Sequence, residues 1–216
     1  MLPAGDAQLV QIVDAAVADA ARRSGAWLLC RPGCTQCCIG VFPISQLDAA
    51  RLHTGLSALD STDPQRATAV RARARQSLAR LLPDFPGDPK TGVLDESSPR
   101  LDDFGNDEPC PALDPANGLC DLYSARPMTC RVFGPPLRST DPDGHSGLGV
   151  CNLCFHGATP DQIAACEVHL GSEDLESTLN AQAEQTSNQA GSTIVAFALL
   201  RQALSGQPPV APPPSW

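Results

Sequence analysis

The chain has 216 residues, with fifteen Lys and Arg against twenty-four Asp and Glu, a formal net charge of -9. A length of this order supports one sizeable domain, and 42% hydrophobic residues with a mean hydropathy of -0.12 fit a globular chain. The acidic balance and an aromatic content of only 4% argue against phosphate-backbone binding and base stacking, so no nucleic-acid partner is expected.

The best apolar run, residues 194–200, is far shorter than the ~20 residues of a membrane span. Residues 1–10 carry neither a basic nor an apolar leader segment. The expectation is a cytoplasmic chain with no membrane partner.

Residues 7–29 read as the first helix, with Asp6 as N-cap and Leu9, Ile12, Val13, Ala16, Val17 and Ala20 at helical spacing. Pro32 and Gly33 then impose a turn. A second helix starts at Ser45, with Asp48 three residues on as a weak capping box and Leu47, Leu52, Leu56 and Leu59 on its buried side. A third runs over 64–82 behind Asp63 and Pro64. Its face of Arg66, Arg71, Arg73, Arg75 and Arg80 reads as solvated, given the net acidity.

Residues 83–108 are rich in Pro, Gly, Asp and Ser and read as a long loop. Thr159 to Gln162 is a strong helix start, with the helix carried through Cys166 to Leu170 and stopped by Gly171. The final helix is expected over 192–204 and a Pro-rich tail over 208–216. Internal repeats and convincing alternating strand runs are absent.

The anomaly is ten cysteines: Cys30, Cys34, Cys37, Cys38, Cys110, Cys120, Cys130, Cys151, Cys154 and Cys166. In a short secreted chain they would suggest disulfides, whereas in a reducing compartment clustered thiols more often bind metal. A two-residue gap lets two thiolates reach one cation from a tight turn while backbone N–H groups point at sulfur. Two such gaps plus a vicinal pair are hard to explain as scattered core residues.

Side chains of the neighbours Cys37 and Cys38 diverge, so both rarely suit one tetrahedral ion. One of them can serve or bridge a second metal, pack, or join its neighbour in a reversible disulfide. A metal shared by the early and late cysteines would tie the two halves of the chain together. Structural zinc is worth on the order of 10–16 kcal/mol in small peptides, so folding and metal loading are expected to be coupled.

Four thiolates around a divalent ion leave a charge near -2. Arg126 and Arg131 can offset it and donate N–H bonds to sulfur. The alternative is that they pair with carboxylates such as Asp121.

The order Cys30-x3-Cys34-x2-Cys37-Cys38, then Cys110-Pro111-x-Leu113, then Cys120-x2-Tyr123-x2-Arg126-Pro127-x2-Cys130-Arg131-x-Phe133 resembles the YkgJ-type cysteine-cluster family, described as zinc- or iron-chelating. The resemblance spans about residues 30–154 and implies eight cysteine ligands. Seven carry over directly, and the eighth is Cys151 or Cys154. It also implies that Tyr123 stands with Arg126 and Arg131 around the ligands. The chain departs from the family in its first gap of three residues and in Thr35, which replaces the Gly after the second Cys. Cys166, with His169 three residues on, lies outside the pattern and reads as a buried or capping residue.

A phosphate loop, a complete Gly-x-Ser-x-Gly elbow and a His-Glu-x-x-His pair are absent, and His53, His145 and His156 are isolated in sequence. Spacing alone does not separate zinc from iron, including a 4Fe-4S cluster. The reading is therefore a mostly α, irregular helical domain over residues 1–207, with long loops organised around a cysteine-ligated metal site. Its activity is unassigned, and the sequence names no protein partner or substrate.

An enzyme is the alternative. A related cysteine architecture occurs in the flagellin lysine methylase, so the resemblance permits a metal- or iron-sulfur-dependent, protein-modifying methyltransferase, with loop 83–108 beside the metal as substrate contact. A scaffold or metal reservoir ranks third.

Overall fold

Apolar residues three and four apart build the long helices. The computed structural model describes residues 1–140 and 144–201; the expected tail lies outside them, and the last helix, expected over 192–204, spans only Val195–Leu200 because Ile194 and Arg201 are extended. In α1 (Asp6–Ser24) Leu9, Val13 and Ala20 line one buried side. The helix stops at Ser24, short of the expected end, because Gly25 turns to φ 50 while its N–H donates to the Ala21 carbonyl. A single 3-10 turn, Gly25–Trp27, follows, and Leu28 is extended.

Asp6 does not cap this helix. Gly5 occupies the cap position, and the Asp6 carboxylate instead accepts from Arg51 Nε at 2.6 Å. The two following starts match expectation. Ser45 accepts from the Asp48 N–H at the head of α2 (Gln46–Thr62), and Asp63 from the Arg66 N–H at the head of α3 (Pro64–Leu81).

These two helices pack on each other and on α7 (Val195–Leu200) through Leu52, Leu56, Val70, Ala74 and Leu199. A second core joins α1 to α6 (Glu173–Ser187) through Leu9, Val13, Leu47, Met128 and Leu179. Nothing in the sequence reading called for α6, whose apolar face is only Leu175, Leu179 and Ala183.

The arginine face of α3 is not simply solvated. Arg66 and Arg73 both pair with Asp121, whose side chain is 1% exposed, and Arg73 Nε also donates to the Pro111 carbonyl at 2.8 Å. Arg80 binds both oxygens of Glu108. The face therefore clamps the segment that carries Cys110 and Cys120.

Residues 83–108 are also more ordered than a loop. Phe85, Leu94 and Phe104 enter a third core with Leu81 and Ile194, and Phe85 meets Phe104 edge-on at 5.8 Å. Within it β1 (Gly87–Asp88) pairs with β2 (Val93–Leu94). Two further antiparallel hairpins join β3 (Leu113–Asp114) to β4 (Leu119–Cys120), and β5 (Leu137–Thr140) to β6 (Ser146–Gly149).

Arg51, 3% exposed, donates to Asp6 and to Asp48 at 2.7 Å, and Asp48 accepts from the Met128 N–H at 3.0 Å. This buried network joins the starts of α1, α2 and α4 (Met128–Val132), the helix that carries Cys130. Loss of one partner from such a network costs about 3–5 kcal/mol, because a buried charge is left uncompensated.

Thr159 and Gln162 form the expected capping box at α5 (Pro160–Ala164). The helix ends there rather than reaching Leu170. Arg23 takes the carbonyls of Ala165 and Glu167, and the Val168 N–H donates to the Pro136 carbonyl at 2.8 Å. The described residues thus form seven α-helices with three short hairpins between them.

Candidate metal centre

The end of α1 delivers the chain into two successive tight turns. Cys34 N–H donates to the Arg31 carbonyl at 2.9 Å across Gly33, which sits at φ 87. Cys38 N–H donates to the Thr35 carbonyl at 2.8 Å, closing the 3-10 turn Gln36–Cys38. Cys38 then meets the next cysteine segment directly. The Cys110 N–H donates to the Cys38 carbonyl at 2.7 Å, and Ile39 bridges Pro109 in antiparallel fashion.

Cys120 lies opposite Leu113 in the β3–β4 ladder, and the Asp121 N–H donates to the Ala112 carbonyl. Cys110 and Cys120 both pack against the α2–α3 core. Cys130 projects from α4, whose first N–H is held by Asp48.

The thiols of this group act on one another. Cys38 donates its proton towards Cys37, which lowers Cys37 to about 6 and pushes Cys38 upward. Burial pushes Cys110 up to about 11; the Ala112 and Leu113 N–H groups point at its sulfur and oppose that rise. Cys120 is raised first by burial, with the Leu122 N–H and the Arg126 charge pulling it back. Burial also raises Cys130, and the charges of Cys110, Cys37, Cys120 and Asp48 add to it.

A separate neighbourhood holds Cys30, Cys151 and Cys154. Cys30 is pushed up to about 12, by burial first and then by the charges of Cys154 and Cys151, with Cys34 contributing. The Leu29 N–H donates to Cys154 Sγ at 3.4 Å. The ten expected thiols are therefore free of disulfides and sorted into two neighbourhoods, with Cys166 buried at the edge of the second. Nothing in the spacing marks the division, because it falls between Cys34 and Cys37 inside one motif.

The residues expected around the ligands take other partners. Arg126 stacks 4.0 Å over the Tyr123 ring, donates to the Tyr123 carbonyl at 2.8 Å and reaches Asp14 at 3.5 Å. Arg131 is buried and donates to both Asp14 oxygens, at 2.9 and 3.0 Å, and to the Ser124 carbonyl. The carboxylate that meets both is Asp14 on α1, while Asp121 serves α3. Arg126 still acts on sulfur through its charge. His169 and His156 are exposed, and His53 sits half-buried on α2.

Among the described residues, no three His, Cys, Asp or Glu side chains converge as ligands of one ion. The chemistry of the donors is nonetheless that of thiophilic-cation ligands: the thiols are unlinked, and the Ala112, Leu113 and Leu122 N–H groups point at Cys110 and Cys120.

The described residues form a helical domain rich in unlinked thiols. Residues 29–143, slightly more than half of the chain, match the family model CxxCxxCC, described as a "Putative zinc- or iron-chelating domain", and the chain belongs to that family. No curated protein and no solved structure matches it. Among the described residues, no helix is long and apolar enough to cross a membrane.

Proposed function

We propose that this chain chelates zinc or iron through Cys110, Cys120, Cys130 and the Cys37–Cys38 pair, and that the ion joins the Gln36–Cys38 turn to the hairpin and helix of the later motif. The observation that supports this reading most is the meeting of Cys38 with Cys110, backbone to backbone, beside Cys120 and Cys130. Of these five cysteines a tetrahedral ion takes four, so one of the vicinal pair is spare.

The bound ion would supply a positive centre that favours thiolates and cross-links three segments. The protein's own part is to half-bury Cys110 and Cys130, to aim N–H groups at Cys110 and Cys120, and to place the Arg126 charge where it favours the Cys120 thiolate. Asp48 fixes α4 and hence Cys130.

No observation favours the methyltransferase alternative, and the aromatic residues of segment 83–108 are committed to the core. Elemental analysis of protein purified without oxygen, with its absorption spectrum, tests the proposal. Bound zinc or iron is expected, with the content falling in Cys120→Ser and Cys130→Ser variants. Unchanged metal content in both variants overturns it.

A further inference from the structure

We infer that a second copy of this chain docks on the face formed by Leu29, Phe133, Val150 and Leu153, together with the neighbouring edge of β6. Nothing in this depends on a bound metal.

Backbone contacts bring the four side chains together. The Phe155 N–H donates to the Trp27 carbonyl at 3.0 Å and the Leu29 N–H to Cys154 Sγ at 3.4 Å, so the turn carrying Leu153 lies against the segment carrying Leu29. Gly134, next to Phe133, passes close to the same segment: a Cβ on it would stand 2.8 Å from Cys30 Sγ and 3.4 Å from Leu28 Cδ1. Val150 follows β6 directly and leads into Cys151, where the Leu153 turn begins. Leu29 is 51% exposed, Phe133 45%, Leu153 40% and Val150 37%. They are four of the nine exposed large hydrophobics among the described residues. Such residues scattered singly need no explanation, but a gathering of them marks a surface that is covered in use.

Charge says what covers it. The chain carries -9, yet residues 25–35, 127–137 and 146–158, which build this face, contain no Asp or Glu. Their only Arg or Lys residues are Arg31 and Arg131, and Arg131 is buried against Asp14. Carboxylates on adjoining segments are already matched, Asp19 by Arg22 and Arg23, and Glu167 by Arg138. Two copies of so acidic a molecule repel each other across surfaces that carry its carboxylates, and here they meet without that cost.

The β5–β6 ribbon beside this face has a free edge. Its ladder has four residue pairs, against two in each of the other hairpins. Of its eight residues only Leu137 and Leu148 are even half-buried, and among the described residues no third strand borders it. A lone two-stranded hairpin is marginally stable in water. On the β5 side, the Val168 N–H reaches the Pro136 carbonyl and Arg138 is tied to Glu167, so segment 167–168 already lies there. The β6 sequence Ser146-Gly147-Leu148-Gly149 has neither the charge nor the Pro that usually blunts an edge. An antiparallel edge is complementary to its own copy across a two-fold axis. Pairing through β6 would make a four-stranded sheet and set Val150, with the apolar side chains behind it, at the same interface. An unrelated apolar partner accounts for the exposed side chains alone; a second copy accounts for the free edge as well.

The test is sedimentation equilibrium of the full chain, as purified and in reductant so that no intermolecular disulfide forms. The expected mass is twice that of one chain, falling to the single-chain value in Leu29→Glu and Leu153→Glu, which place repelling charges on the face. Leu82→Glu, an exposed site outside these segments, is expected to stay dimeric. Amide exchange over Ser146–Gly149 is expected to slow as protein concentration rises through the dimerisation range. A single-chain mass for the wild type at every concentration overturns the inference, and another occupant then covers the face. It is also overturned by a dimer undiminished in both Glu variants of the face, by equal loss in Leu82→Glu, or by β6 exchange that ignores concentration. Should a variant misfold by circular dichroism, the wild-type mass and the β6 exchange decide.

Discussion

At the residue scale, the charges around the sulfurs separate positioning from electrostatics. Arg131 is committed to Asp14 and the Ser124 carbonyl, so its role is to hold α4 against α1. Arg126 is different, because its charge favours the Cys120 thiolate while its stacking on Tyr123 fixes where that charge sits. Arg126→Ala is expected to weaken zinc binding about 10-fold or more, in the range typical for groups that support metal ligands. Arg126→Lys should recover most of that loss, since the charge returns without the planar stack. Competition against a coloured chelator measures both, and equal affinities in wild type and Arg126→Ala would contradict this role.

At the element scale, the segment around Cys166 is held by side chains rather than by its own helix. Glu167 accepts two bonds from Arg138 on β5, at 2.7 and 2.6 Å, and this pairing holds its carboxyl below the usual range. A carboxylate whose folded value is depressed stabilises the fold above its unfolded value and loses that contribution as pH falls through the folded one. Arg138→Ala should therefore unfold at lower urea than wild type at pH 7, with the two curves converging as pH falls through the lowered Glu167 value. A gap that persists in acid would assign the effect to packing instead.

Element by element, legibility followed the locality of the signal. Ser45, Asp63 and Thr159 were readable as caps because a cap depends on three or four consecutive residues. The end of α5 was not, because Arg23 reaches from α1 to the Ala165 and Glu167 carbonyls just beyond it. Nor was α6, since three apolar residues at four-residue intervals give too narrow a stripe to stand out among Glu, Gln and Asn. Hairpins of two to four residues are too short to show alternation. The cysteines announced a metal site through spacing, but their division depends on which way each turn faces, and spacing carries no such information.

At the scale of the whole molecule, three apolar cores lie among the helices and the ordered 83–108 segment, while the cysteine-bearing connections depend on thiols, arginines and short ladders. The helical cores should persist without metal, and the connections should not. Loading is thus expected to complete the fold rather than decorate it, because the proposed ligands come from the Gln36–Cys38 turn, the β3–β4 hairpin region and α4. The most direct test is the thermal midpoint of the reduced metal-free protein, followed by circular dichroism with and without excess zinc. The account predicts a rise of more than ~10 °C on zinc addition, reversed by chelator. Superimposable unfolding curves would contradict it.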